Sequence, residues 1–298
     1  MAEPTPALES TWGFPVPART PAVDAEPVDA GRFLTRLPPG PRESDDCAAS
    51  RLAAALRDAA ASAAVEPKDL LIVSSLGLGA LSEPLASVRC YAAVGLGDRL
   101  VPFACGARKA NPSVTVVAAA RPARGMALGW LLDSARTNDD ITVLSFNGGG
   151  CGLRESAPPE GEVLRAVLAA GATFAARVFP GGKASVSETL SRALRHKGFA
   201  FVDCVGLCPV HDESEACERL EKAAYDLAGC GHDAADPEAA RRKAEEPFDA
   251  PPLGVLHERL RQPPAERRHR LIRRHGPPVS LPGGLTALEQ RSLWEKLR

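Results

Sequence analysis

Two strand-exit loops carry the side chains best suited to hold a ligand. Residues 114–132 read VTVVAAARPARGMALGWLL. An apolar run from Val114 to Ala119 is followed by Arg121, Pro122, Arg124 and Gly125, then by Met126, Leu128, Leu131 and Leu132 spaced to face a core. In α/β proteins, ligands bind where strands end and helices begin. Two arginines beside a helix N-terminus suit a phosphate, because guanidinium makes paired charge-assisted hydrogen bonds and the helix dipole favours negative charge. The plainer reading turns both arginines to solvent or toward acids of a partner. The second loop, FNGGGCGL, offers Asn147 and then Gly148, Gly149 and Gly150, whose amides can come close to a ligand. A third grouping, DCVGLCPVHD, brings Cys204, Cys208, His211 and Asp212 near one strand end. A cysteine nucleophile there requires a partly exposed site that favours the thiolate. Chance clustering gives the same pattern in a chain with eight cysteines and six histidines.

The elements that must position these loops alternate. CAASRLAAALRDAAASAAV reads as a helix with Leu52 and Leu56 on one face. LLIVS, Leu70 to Ser74, reads as an apolar strand with a glycine-rich exit. GDRLVPFACGARKAN is a loop entering a small-residue helix, and a further helix spans about 126–137. DITVLSF is a strand, EGEVLRAVLAAG a helix and ATFAARVF a strand. SVSETLSRALRHKG is a helix with a serine start and a glycine stop, FAFVDCV a strand, and PPLGVLHERL a last short strand after a polar helical stretch. Continuously apolar strands alternating with helices predict an α/β fold: a mostly parallel sheet with helices on both faces.

Composition narrows the class. The 298 residues are 45% apolar and 5% aromatic, with a net charge of −1. That supports a sizeable core and gives no basic field for nucleic acid. No leader pattern and no 18-residue apolar run occur in the sequence, so neither a signal peptide nor a membrane span is expected and a cytoplasmic setting is. There, cysteines serve as buried thiols or metal ligands rather than disulfides. Residues 1–43 form a proline-rich arm expected to be disordered or extended, 44–263 the α/β domain, and 264–298 a basic helical extension.

The order of GDRLVPFACGARKANPSVTVVAAARPARGMALG, NDDITVLSFNGGGCGL, LAAGATFAARVF, ALRHKGFAFVDCVGLCPV and the tail GHDAADPEAARRKAEEPFDAPPLGVLHERLRQP resembles the thiamine diphosphate-binding β subunit of 2-oxoacid:ferredoxin oxidoreductases. The resemblance covers roughly residues 44–263. It implies the thiamine diphosphate-binding (pyrimidine/diphosphate-domain) fold. It also implies a diphosphate held through Mg²⁺ by an aspartate of a Gly-Asp-Gly turn and an Asn-Asn pair. Mg²⁺ requires hard oxygen ligands in octahedral geometry. Here the aspartate position is Pro122 and the second asparagine is Gly148, with Asn147 matching the first. No acid lies between Val114 and Leu132 to replace the loss. The family also carries a four-cysteine 4Fe–4S cluster. Its positions fall on Ser44, Cys47, Leu78 and Cys208, so Cys47 and Cys208 alone remain. A cofactor-contacting histidine of the family is Gly97.

Arg121, Arg124, Gly125, Asn147 and Gly148–Gly150 therefore read as a vestigial diphosphate site, with no bound metal or cofactor expected. The reading that follows is a degenerate, non-catalytic β-subunit-like scaffold or regulator. Its expected partner is an α-type subunit or an authentic β subunit. The alternative is an active subunit with thiamine diphosphate, Mg²⁺ and a 4Fe–4S cluster, decarboxylating a 2-oxoacid to an acyl-CoA.

Overall fold

The computed structural model describes residues 48–74, 90–120, 127–147, 161–180, 185–205 and 214–264. The proline-rich arm and the basic extension lie outside these residues, as do the Arg121–Gly125 and Gly148–Gly150 loops. Eight strands form one sheet in the order β2-β1-β3-β4-β6-β5-β8-β7. They are β1 (Leu70–Ser74), β2 (Tyr91–Val94), β3 (Thr115–Ala120), β4 (Thr142–Asn147), β5 (Phe174–Val178), β6 (Ala200–Val205), β7 (Tyr225–Asp226) and β8 (Pro252–Glu258). Strands β1 to β6 all run parallel to one another, and β8 pairs antiparallel with β5. The α/β expectation therefore holds, with two reversed strands, β8 and β7, at one edge.

Side-chain alternation along the strands builds two apolar layers. Ile72, Val117, Leu144, Ala176 and Val202 face helices α1 (Ala48–Ser62) and α5 (Val186–Arg195). Val73, Ala118, Val143, Ala175 and Phe201 face the other side. There they meet α2 (Leu100–Ala110), α3 (Leu128–Thr137), α4 (Glu162–Ala169) and α7 (Pro237–Ala244), while α6 (Ser214–Ala223) adds Leu220 to a smaller cluster with Phe179 and Val205. Alanines at 53, 59 and 60 bring α1 close to the sheet, as alanine-rich composition suggests.

Several boundaries and faces differ from expectation. The third helix starts at Leu128, and Leu128 and Trp130 stand 47% and 54% exposed; among the described residues of that pattern only Leu131 is fully buried, and Met126 lies outside them. Periodicity marked Leu128 as core, but it sits in the first turn, beyond the sheet that buries Leu131. Strand β2 is absent from the sequence reading. Its residues are mostly exposed at the sheet edge, so no apolar run announces it. The α5 start is as read: Ser185 caps the helix by accepting from the Glu188 amide. The glycine stop falls later, at Gly198, after an extended His196.

Candidate functional site

Parallel strands place all their exits on one edge. Ser74 of β1 pairs in register with Ala119, Ala120 with Ser145, and Asn147 with Val205. Neighbouring strands lie about 4.8 Å apart, so the chain leaves β1, β3, β4 and β6 side by side. Arg121 is bonded to Ala120 and Gly148 to Asn147, which puts the two predicted loops on adjacent exits, with β4 running two residues further. Asn147 is the last residue of β4. The positions of Arg121, Pro122, Arg124, Gly125, Gly148, Gly149 and Gly150 lie outside the described residues. So do Cys47, Leu78, Cys208, His211 and Asp212.

Gly97 reaches the same edge. It opens the 3-10 turn Gly97–Arg99 that feeds α2, just after β2, and the Gly95 amide donates to the Ser74 carbonyl. A Cβ at Gly97 would meet nothing within 4 Å. Among the described residues, nothing fills the space beside Gly97.

A row of polar side chains crosses the sheet just below this edge. Ser145, Asp203 and Arg177 are partners in register on β4, β6 and β5. All three are buried, Arg177 being only 1% exposed. Arg177 Nε donates to Asp203 Oδ2 at 2.9 Å, and its guanidinium lies 5.4 Å from the Phe248 ring centroid. Arg177 Nη1 and Ser145 Oγ have no hydrogen-bond partner. An ion pair taken out of water is costly unless its remaining donors are satisfied, so these two orphaned groups need an explanation. Opposite Arg177, Gly254 of β8 adopts φ +105°, beside a register shift between Ala175 and Ala176. Such bulges re-aim side chains and recur near sites. Sequence reading missed this row. Its signal was one lone arginine in FAARV and one lone aspartate in AFVDCV, two charges inside otherwise apolar runs.

Cysteine chemistry is excluded at Cys204. The thiol faces the core, fully buried, and desolvation with the neighbouring Asp203 charge pushes its pKa well above the usual range. It cannot serve as the thiolate of a Cys–His pair. Burial likewise pushes Cys105 up to about 12 and Cys90 up to about 11. Cys230 departs from the buried-thiol expectation and is exposed.

The opposite edge holds a different kind of polar cluster. Asn138 Oδ1 accepts from the Phe199 amide (2.9 Å) and from Thr173 Oγ1 (2.7 Å), while its Nδ2 donates to the Arg261 carbonyl (2.7 Å). His196 Nε2 then donates to Thr173 Oγ1 at 2.8 Å, which leaves Nδ1 bare and without a partner. Asp140 accepts from the Gly198 amide and pairs with Arg108. Arg108 in turn caps the Val114 carbonyl. A cavity of about 130 Å³ lies beside this cluster, lined by Arg108, Asp140, Leu194 and His196 among others. It lies at the starts of β3 and β4, the opposite edge from their exits. Among the described residues no three His, Cys, Asp or Glu side chains gather to hold a metal ion. Among the same residues no helix is long and apolar enough to cross a membrane.

No protein-family model matches the chain. Curated relatives do. The β subunit of 2-oxoacid:ferredoxin oxidoreductase from Saccharolobus solfataricus is 25% identical over 184 residues, covering 55% of this chain and 60% of that protein. The 2-oxoglutarate synthase subunit KorB of Methanothermobacter marburgensis is 28% identical over 156 residues, 45% of this chain and 55% of that protein. The chain resembles the β subunits of 2-oxoacid:ferredoxin oxidoreductases. It spans less than two thirds of the length of these relatives. Among solved structures, a 2-oxoglutarate:ferredoxin oxidoreductase from Magnetococcus marinus, with 2-oxoglutarate, coenzyme A and succinyl-CoA bound, matches with a TM-score of 0.72. That match covers 93% of this chain and 97% of that one at 20% identity, and it carries the fold.

Proposed function

We propose that the chain is a β-subunit-like component of a 2-oxoacid:ferredoxin oxidoreductase-type complex. In this reading it has given up metal-anchored cofactor chemistry and works in the cytoplasm as a scaffold or regulator. The observation that carries the reading is the state of one sheet edge. Strands β2, β1, β3, β4 and β6 lie side by side there, and the resemblance puts the metal-ligand positions on Pro122 and Gly148, one cluster position on Leu78 and the cofactor-contacting histidine on Gly97. None of these can give a divalent ion an oxygen or an iron a thiolate from its side chain. The donor set does not fit Mg²⁺-diphosphate or a 4Fe–4S cluster. The framework around it is intact, which suits selection for a surface rather than for a reaction.

The partner in this reading is an α-type subunit or an authentic β subunit, giving a hetero-oligomer. Affinity purification of the tagged chain from its host tests this directly. A stoichiometric subunit of that class, with neither iron nor thiamine diphosphate bound to this chain, is the expected result. The second reading, an active subunit, rests on the names of the relatives. Titration with thiamine diphosphate, with and without Mg²⁺, separates the two. Tight binding that requires Mg²⁺, together with a brown cluster absorbance, would establish the active subunit instead.

A further inference from the structure

A cavity of about 210 Å³ opens at the β8 edge of the sheet, between the first turns of α5 and the chain that follows β7. Strand β7 pairs only with Pro252 and Leu253. Beyond them the edge of β8 is held by that following chain: His232 Nε2 donates to the Leu256 carbonyl at 2.7 Å, and the Glu258 amide donates to the Ala234 carbonyl at 2.9 Å. The cavity is the space this loop leaves against α5.

The polar groups around it are hydrogen-bond acceptors with capacity to spare. Thr189 lines the cavity and is only 6% exposed, yet its hydroxyl has no hydrogen-bond partner among the described residues. A threonine inside a helix commonly donates to the carbonyl one turn back. Here the Ser185 carbonyl takes the Thr189 amide alone. The Glu188 carboxylate forms no ion pair among the described residues, because Arg192, one turn on, is drawn to Glu258. Asp226 spends Oδ1 on the Ala228 amide and leaves Oδ2 unused. With Nε2 donating to a carbonyl, the neutral His232 ring keeps its lone pair on Nδ1. Leu227 and Val255 add apolar wall.

Two unpaired carboxylates call for a cation, and the buried hydroxyl and imidazole accept from N–H donors. No three acidic, histidine or cysteine side chains among the described residues gather closely enough to hold a metal ion, so the cation is one with a body of its own. The volume is below the roughly 300–1,000 Å³ of pockets for drug-sized ligands, which limits that body to a few carbons. We propose that this cavity binds a small aliphatic amine in its ammonium form, with the charge against Glu188 and Asp226 and the carbons against Leu227 and Val255. The site lies three strands from β4. It goes beyond the scaffold reading and does not depend on it.

The test uses the full chain, with linear diaminobutane titrated by calorimetry at constant ionic strength. Butanediol of the same length and potassium ion are the neutral and bodiless controls. Diaminobutane should bind saturably with a Kd below about 1 mM, and both controls much more weakly. Glu188→Gln should weaken binding about tenfold, the effect of one charge-assisted contact. Asp226→Asn should act in the same direction while still capping its turn. Thr189→Val should weaken binding about fivefold without lowering the denaturation midpoint, since its hydroxyl bonds to nothing in the protein. Diaminobutane binding no tighter than butanediol or potassium overturns the site. So does equal weakening by Glu188→Gln and by Glu162→Gln, an exposed carboxylate on the opposite face of the sheet, which would mark surface charge alone. A Kd unchanged by Glu188→Gln and Thr189→Val overturns it too. Each failure leaves the scaffold reading standing, because partner capture and the Mg²⁺ dependence of cofactor binding decide that reading.

Discussion

The two edges of the sheet use buried polar groups in opposite ways. At the amino edge, Asn138, Thr173, Asp140 and Arg108 spend their donors and acceptors on backbone groups: the Phe199 and Gly198 amides and the Arg261 and Val114 carbonyls. That network locks the starts of β4, β5 and β6 to the chain leaving β8. At the carboxyl edge, the Ser145–Asp203–Arg177 row touches little backbone and keeps two polar atoms without partners. Neither network is complete: His196 Nδ1 is unmet at the amino edge, Ser145 Oγ and Arg177 Nη1 at the carboxyl edge. The side-chain-to-backbone bonds of the first stiffen the chain they hold, whereas the second rests on one ion pair. What separates the edges is the partner of the satisfied groups: backbone at the amino edge, another side chain at the carboxyl edge.

The largest effect should come from splitting the carboxyl-edge pair. Asp203→Ala leaves the Arg177 charge buried alone and should cost about 4 kcal/mol in chemical denaturation. Replacing both, Arg177→Met with Asp203→Leu, should recover most of that loss, because no backbone group depends on the pair. The matching double change at the amino edge, Asn138→Ala with Thr173→Val, should recover nothing, since the Phe199 amide and Arg261 carbonyl stay buried and unpaired. Equal recovery at both edges would erase the distinction between them.

Next in size is Gly198→Ala. Gly198 sits at φ +124°, and an added Cβ would stand 2.8 Å from Asn138 Cγ. Strain and collision together should cost about 3 kcal/mol, read as a lowered denaturation midpoint. The same substitution at Gly97, where the space is open, should cost clearly less.

A smaller effect is expected with pH. Burial lowers the pKa of His196, against the charges of Glu258 and Asp140 that raise it and with Lys197 and His257 that lower it. His257 is lowered for the same main reason. The unfolded chain then binds protons that the folded chain refuses. Stability from these groups is complete above about pH 6.5, the ordinary histidine value, and falls as pH drops below it. Protonated His196 would also present an Nδ1–H with no acceptor. Denaturation midpoints from pH 8 to 5 should therefore decline, and His196→Asn should flatten the slope. The smallest effect should follow Trp130→Ser or Leu128→Ser. Both side chains are exposed, so stability should change by no more than about 0.5 kcal/mol. A larger loss would mean that this face is packed.

Legibility followed the same division. Apolar strands such as VTVVAAA and FAFVDCV announce themselves because burial on both faces demands continuous hydrophobicity. Edge strand β2 does not, because Tyr91, Ala92 and Val94 answer to no layer. Leu128 was read as core from its spacing, yet spacing cannot tell where a helix overruns the sheet. That β3 and β4 are strands followed by loops was readable from their residues; that they are neighbours is shown by the register of Ala120 with Ser145. The Arg177–Asp203 pair and the Asn138 lock were invisible, since each joins residues distant in sequence through a register that no local pattern encodes.

The sequence by itself determined the class of fold, the order of its buried strands and the absence of an oxygen-bearing side chain at Pro122 and Gly148. These follow from local hydrophobic period and from side-chain chemistry, which need no neighbours. Only the tertiary structure decided that Cys204 is inert, that β8 runs backwards beside Arg177, and that Arg177 meets Asp203 inside the sheet. Those are properties of strand pairing and packing, and pairing is set by the whole sheet rather than by any segment of it.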